Sequence, residues 1–152
     1  MAEVATGILK VPVHFEISIE NVDKPPMDYT DMDFRAAPFA EKRLPHWFTR
    51  APTFVEKAKL FPGAKFIVGA DTIDRIGRPQ YYPDGSVDAA MEQIAKQGCR
   101  FLVFGRVRDS KFETLAELSL PDSLRKLCDE VPEAKFREDI SSTELRQQAN
   151  SD

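Results

Sequence analysis

The sequence predicts a three-layer α/β domain with a mostly parallel sheet, and three observations lead there. Two short, continuous apolar runs, "KFIVGAD" (residues 65–71) and "CRFLVFG" (residues 99–105), end in or close to glycine, the pattern of strands buried on both faces. Segments with helical periodicity precede each of them. Strands and helices alternating at this spacing imply right-handed crossovers and a parallel sheet covered on both sides.

Taken in order, "VPVHFEISI" (residues 11–19) sets Val11, Val13, Phe15, Ile17 and Ile19 on one face, a strand at period two. The double proline in "NVDKPPMDYTD" makes a rigid loop. Residues 34–43 are read as a short helix and "HWFT" as a short strand. Thr53 and Glu56 then form a capping box, and Pro62-Gly63 closes a helix carrying Phe54, Ala58 and Phe61 on one side. After the strand at 65–71 and the aromatic turn "YYPDG", Val87, Ala90, Met91, Ile94 and Ala95 make an amphipathic stripe that Gly98 can stop. Beyond the strand at 99–105, "LPDSLRKLCDEVP" reads as a short helix with Leu124, Leu127 and Cys128 inward. "KFRED" reads as a final edge-like strand and "SSTELRQQ" as a final helix.

With 152 residues the chain has room for one domain with a sizeable core, taken as residues 1–148 with a frayed end at 149–152. Hydrophobic residues at 42% and charged residues at 30% argue against disorder of the whole chain. A net charge of −4 and a pI near 5.3 argue against a nucleic-acid partner, and no apolar run is long enough to suggest a membrane partner. "MAEVATGILK" lacks a basic segment before a long apolar one, so the expected location is the cytoplasm, with Cys99 and Cys128 as reduced thiols and not metal ligands.

In parallel sheets ligands sit beyond the carboxyl ends of the strands, which directs attention to Lys24, Asp71, Arg106 and the stretch "DISSTELR". Ser141, Ser142 and Thr143 open a helix whose unpaired N–H groups and partial positive charge suit an anion, and Arg146 lies one turn on. Ser141 and Glu144 also make a capping box, which explains two of these residues without a ligand. Gly69 permits close approach to the backbone, and Asp71 can accept from ribose hydroxyls; the same pair also suits a plain turn. Lys24, on its proline-stiffened loop, is either a phosphate contact or a solvated lysine. His14 and His46 are isolated from each other, and no P-loop or dinucleotide-binding glycine motif is present.

Taken together these pieces resemble the nucleotidyltransferase superfamily that includes nicotinamide- and nicotinate-mononucleotide adenylyltransferases and cytidylyltransferase-like proteins. The family's I-S-S-T-x-x-R signature is met by residues 140–146, its strand ending in G-x-D by "FIVGAD", and the order of elements between them also matches. The resemblance covers roughly residues 10–148. It implies a Rossmann-like domain and a reaction that joins a nucleoside triphosphate, ATP or CTP accompanied by Mg²⁺, to a phosphorylated acceptor with release of pyrophosphate. No tightly bound cofactor is expected. By resemblance Ser141, Ser142, Thr143 and Arg146 hold phosphates, Gly69 and Asp71 lie against the nucleoside, and Lys24 and Arg106 contact acceptor or phosphate. The family's H-x-G-H motif is absent, and "MAEVATGIL" looks like the end of the helix that follows it. The first strand and phosphate loop are therefore expected to be missing, so the chain alone would bind a nucleotide with little or no transfer. A homodimer or a completing chain is expected to fill the gap.

Overall fold

The computed structural model describes residues 1–20, 22, 25–82, 84–108 and 111–137. Among the described residues it is a mixed α/β fold in which two of the three sheets are parallel. In chain order its elements are helix α1 (Ala2–Leu9), β1 (Phe15–Ser18), α2 (Tyr29–Glu41), β2 (His46–Thr49), α3 (Phe54–Leu60), β3 (Lys65–Gly69), α4 (Ala70–Ile76), α5 (Val87–Lys96), β4 (Arg100–Phe104), β5 (Arg106–Arg108), β6 (Lys111–Glu113), α6 (Asp122–Arg125) and β7 (Cys128–Val131). Strands β1 and β2 form one parallel pair, β3-β4-β7 a second parallel sheet, and β5-β6 an antiparallel hairpin.

The three-stranded sheet holds the core. Side chains alternate across β4, so Phe101 and Val103 enter one cluster while Leu102 and Phe104 enter another. On the first face Ala58 of α3, Ile73 of α4, Ile94 of α5 and Leu124 of α6 close over the sheet, all fully buried. On the second face Ala5 of α1 packs with Leu102, Phe104, Val131 and Phe136. Local chemistry explains why the helices begin and end where they do. Thr53 and Glu56 form the predicted capping box on α3, Ser86 caps α5 by accepting from the Ala89 N–H, and Gly98 stops α5 at φ 70°, a conformation that suits glycine.

Several expectations are corrected. The strand expected over 11–19 is only Phe15–Ser18, and Val11 is exposed, because pairing with β2 begins only at Phe15↔His46. Helix α2 starts at Tyr29 and not at Phe34; Asp28, in the stretch read as a loop, accepts from the Asp31 N–H and caps it. Helix α4 follows β3 directly, where a turn was an open reading. Lys65 is exposed and Phe66 and Ile67 are only half-buried, so β3 is fully buried only toward its carboxyl end. Ala95 lies on the solvent side of α5. Cys128 belongs to strand β7, not to the preceding helix, because the Phe101 N–H reaches the Leu127 carbonyl and sets the β4–β7 register. Lys135 closes a 3₁₀ turn and Phe136 is a buried plug, so the described part of "KFRED" is not a strand. The final helix expected from "SSTELRQQ" lies outside the described residues.

Among the described residues β1 and β3 do not pair with each other. Phe15 and Ile19 donate toward β2, so by alternation the backbone groups of Glu16 and Ser18 face away from it. Arg100 donates to Ala64, which turns Lys65, Ile67 and Gly69 toward the other edge of β3. The segment at the N-terminus, considered above as the end of a helix, is helical as α1 and adds no strand to either edge.

An ion-pair cluster ties the amino ends of the sheet together. Asp129 on β7 receives Arg100 in a fork, Nη2 at 2.8 Å and Nε at 3.2 Å, and Lys65 Nζ at 3.1 Å. The hydrogen bond from Arg100, helped by Lys65, holds the Asp129 carboxyl below its usual value of 3.8. A depressed carboxylate stabilises the fold above its unfolded value, and that contribution is lost as pH falls through the folded value. All three side chains are about 40% exposed, so screening limits the effect. Asp129→Asn is expected to cost about 0.5–1 kcal/mol at pH 7. Urea melts of both proteins should converge in acid; a difference that stays constant from pH 7 to pH 2 contradicts the assignment.

Candidate functional site

The parallel register brings three of the sequence-predicted residues together. Gly69 ends β3 opposite Phe104, which ends β4, so the residues that follow each strand emerge side by side. Asp71 lies in the first turn of α4 and Arg106 opens β5. Arg106 Nε is 3.9 Å from Asp71 Oδ1, with the arginine side chain 22% exposed and the aspartate 64% exposed. Both lie over Gly69: a Cβ added there would stand 2.5 Å from Asp71 Oδ1 and 2.9 Å from Arg106 Nε. Gly69 is required by this close approach and not by its backbone angles, which are extended.

Arg106 is underused by the protein around it. Its guanidinium carries five N–H donors. Among the described residues its hydrogen-bonding partner is the Met1 thioether, 3.4 Å from Nη2, a weak acceptor. The Asp71 contact is longer than a hydrogen bond. A largely buried cation with unfilled donors, at the carboxyl end of a parallel sheet and beside a glycine, is suited to an anion or a polar ligand.

Gly105 plays a supporting part. It is buried, and a Cβ there would fall 2.5 Å from the Phe112 ring, so its lack of a side chain lets the β5–β6 hairpin fold back over the end of β4 and hold Arg106 in place.

Ser141, Ser142, Thr143, Arg146 and Lys24 lie outside the described residues. The two histidines are elsewhere. His14, just before β1, accepts from Trp47 Nε1 of β2 at 3.1 Å, and His46 Nδ1, at the start of β2, sits 3.1 Å from the Leu44 carbonyl oxygen. Tyr82 of the aromatic turn packs against the core and donates to the Ile76 carbonyl at 2.7 Å. Burial pushes its phenol up to about 12. Burial likewise raises the Cys128 thiol to about 11, which makes it a poor nucleophile at neutral pH. Among the described residues no group of three or more His, Cys, Asp or Glu side chains is placed to hold a metal ion, and no helix is long and apolar enough to cross a membrane.

Sequence reasoning missed Lys57, a lysine only 7% exposed on α3. Its Nζ is 2.7 Å from Glu16 Oε2 on β1, and the other oxygen of Glu16 accepts from Thr49 on β2, so this chain of contacts ties α3 to the parallel pair. The signal was present: Lys57 is three residues after Phe54 and four before Phe61, on the apolar side of its helix.

No family model, no curated protein and no solved structure matches this chain.

Proposed function

We propose that the chain is a three-layer, Rossmann-like nucleotidyltransferase-like domain that binds a nucleoside triphosphate and carries little or no transfer activity alone. The observation that supports it is the convergence of Gly69, Asp71 and an under-coordinated Arg106 beyond the carboxyl ends of β3 and β4. In this reading the nucleoside lies against Gly69 and Asp71, and Arg106 meets a phosphate or the acceptor. Ser141, Ser142, Thr143 and Arg146 hold the triphosphate, which arrives as its Mg²⁺ complex, and Lys24 is a further contact to the acceptor or a phosphate.

Calorimetric titration with ATP and with CTP tests the reading. Arg146→Ala is expected to weaken binding by about 1.5–3 kcal/mol, the scale of one charged hydrogen bond. Equal affinity of variant and wild type removes the anion site, and no binding by the wild type leaves the capping-box explanation of the serines in possession.

The edges that β1 and β3 leave unpaired among the described residues favour a second reading, an active enzyme whose phosphate loop comes from another chain. Sedimentation at micromolar concentration distinguishes them: a homodimer agrees with completion by a second copy, and a monodisperse 17.2 kDa species with a cooperative melt contradicts it.

A further inference from the structure

A surface helix normally buries one stripe of its side chains, but α2, 13 residues long, has no buried residue. Met32, Ala36 and Phe39 are half-buried and form its inner seam. The Phe39 ring centroid lies 4.8 Å from that of Phe15 on β1 and 5.7 Å from that of His46 on β2. At about 100° per residue Phe34 falls on the opposite side of the helix. It is 80% exposed, and Pro38, one turn on, is exposed beside it. A single exposed aromatic needs no explanation by itself. The charges around this one form a pattern.

Asp28 and Asp31 precede Phe34, and Arg35 and Lys42 follow it, along one edge of that outer side. All four are exposed. Asp31 and Arg35 stand four residues apart, close enough to pair within the helix. Among the described residues, however, no ion pair involves any of the four. Asp28 Oδ1 accepts from the Asp31 N–H as the helix cap, which leaves Oδ2. The order acidic, aromatic, basic is its own complement when a second copy is laid antiparallel. A twofold axis at Phe34 sets the two Phe34 rings against each other, and residues equally far before and after Phe34 lie level across it. Arg35 then comes within two residues, about 3 Å of helical rise, of the partner's Asp31, and Lys42 within the same distance of the partner's Asp28. A parallel arrangement would set Asp31 against Asp31 and Arg35 against Arg35.

We propose that α2 is a self-docking surface: two copies of the chain associate through antiparallel α2 helices, centred on Phe34 and held in register by pairs between Asp31 and Arg35. One pair of short helices covers less than the roughly 1,200–2,000 Å² of a standard interface, so the dissociation constant is expected on the order of 100 µM. None of the residues belongs to β1, β3 or the Arg106 group, so the proposal stands whether or not the nucleotide reading holds. At a few micromolar this contact leaves the chain monomeric, and a dimer seen there has another origin.

Sedimentation equilibrium of the full chain from about 20 to about 600 µM brackets that constant. The average mass of the wild type is expected to rise from 17.2 kDa toward twice that value. Phe34→Ser removes the central ring from an exposed position, and Asp31→Lys or Arg35→Glu sets like charges against each other. Each variant should melt cooperatively and associate about tenfold or more weakly than the wild type. Mixing Asp31→Lys with Arg35→Glu gives every reversed charge an opposite partner across the axis, so the mixture should associate within about threefold of the wild type. Pairs within one helix are the same before and after mixing, so only contacts between antiparallel chains give this rescue. A wild type that stays at 17.2 kDa throughout, a folded variant that associates like it, or a mixture that stays monomeric overturns the proposal.

Discussion

Phe104→Ala is expected to destabilise the domain by about 3–5 kcal/mol, the range for removing a fully buried aromatic side chain from a packed core. Phe104 is fully buried. Its ring meets the Phe136 ring edge-on, with centroids 4.9 Å apart, and it shares a cluster with Ala5, Leu102 and Val131. The change therefore weakens the docking of α1 and of the segment around Phe136 on the same face of the sheet. Against a total stability of about 5–15 kcal/mol, that is a large fraction. Urea denaturation should show a midpoint lowered by about 2 M if the slope is about 2 kcal/mol/M. Leu60→Ala is the control: Leu60 is 56% exposed at the end of α3 and should shift stability by no more than about 0.5 kcal/mol. A Phe104 variant as stable as the Leu60 variant contradicts this account of the second face.

The second large effect is on catalysis. Nucleotidyl transfer needs preformed donors where charge develops on the transferring phosphate, and losing one such donor costs about 100–1000-fold in rate. This chain has no H-x-G-H motif. Of its two histidines, His14 accepts from Trp47 and His46 lies against the Leu44 carbonyl. The isolated 152-residue chain is therefore expected to release no detectable pyrophosphate from ATP or CTP with any mononucleotide acceptor. Robust release by protein free of contaminating enzyme contradicts that expectation and favours a catalytic group not yet assigned.

The parts of the fold that were legible in the sequence are those fixed by local chemistry. The Thr53–Glu56 box, the Val87–Ile94 stripe with Gly98 behind it, and the two apolar runs that became β3 and β4 needed no tertiary information. Where longer-range contacts decide, the sequence was silent or misleading. "CDEV" has little strand character, yet it forms β7 because β4 offers it an edge and Arg100 and Lys65 neutralise Asp129. The alternation over residues 11–19 suggested a longer strand than the β1–β2 register sustains. Two prolines drew attention away from Asp28 as a cap. The candidate site divides in the same way. Gly69 and Asp71 announce themselves at a strand end, and Arg106 follows from the same rule. Their convergence depends on the Gly69↔Phe104 register and on Gly105 admitting the Phe112 ring. The burial of Lys57 comes from its ion pair with Glu16 of β1, a contact between residues 41 apart in the chain.

The central claim is that a nucleoside triphosphate sits where Gly69, Asp71 and Arg106 meet, and Gly69→Ala addresses it most directly. The added methyl would meet three side-chain atoms, Asp71 Oδ1 and Arg106 Nε and Cγ, and no backbone; Asp71 is exposed enough to move but the largely buried Arg106 must shift, so the fold should lose about 1–3 kcal/mol. The space against the glycine backbone, however, would be filled. Calorimetry with Mg²⁺–ATP and Mg²⁺–CTP on wild type and Gly69→Ala, each checked by its thermal melt, is the measurement. The account predicts binding by the wild type to at least one of the two nucleotides, and a loss of tenfold or more in a variant that still melts cooperatively. Undiminished affinity in the folded variant would contradict it.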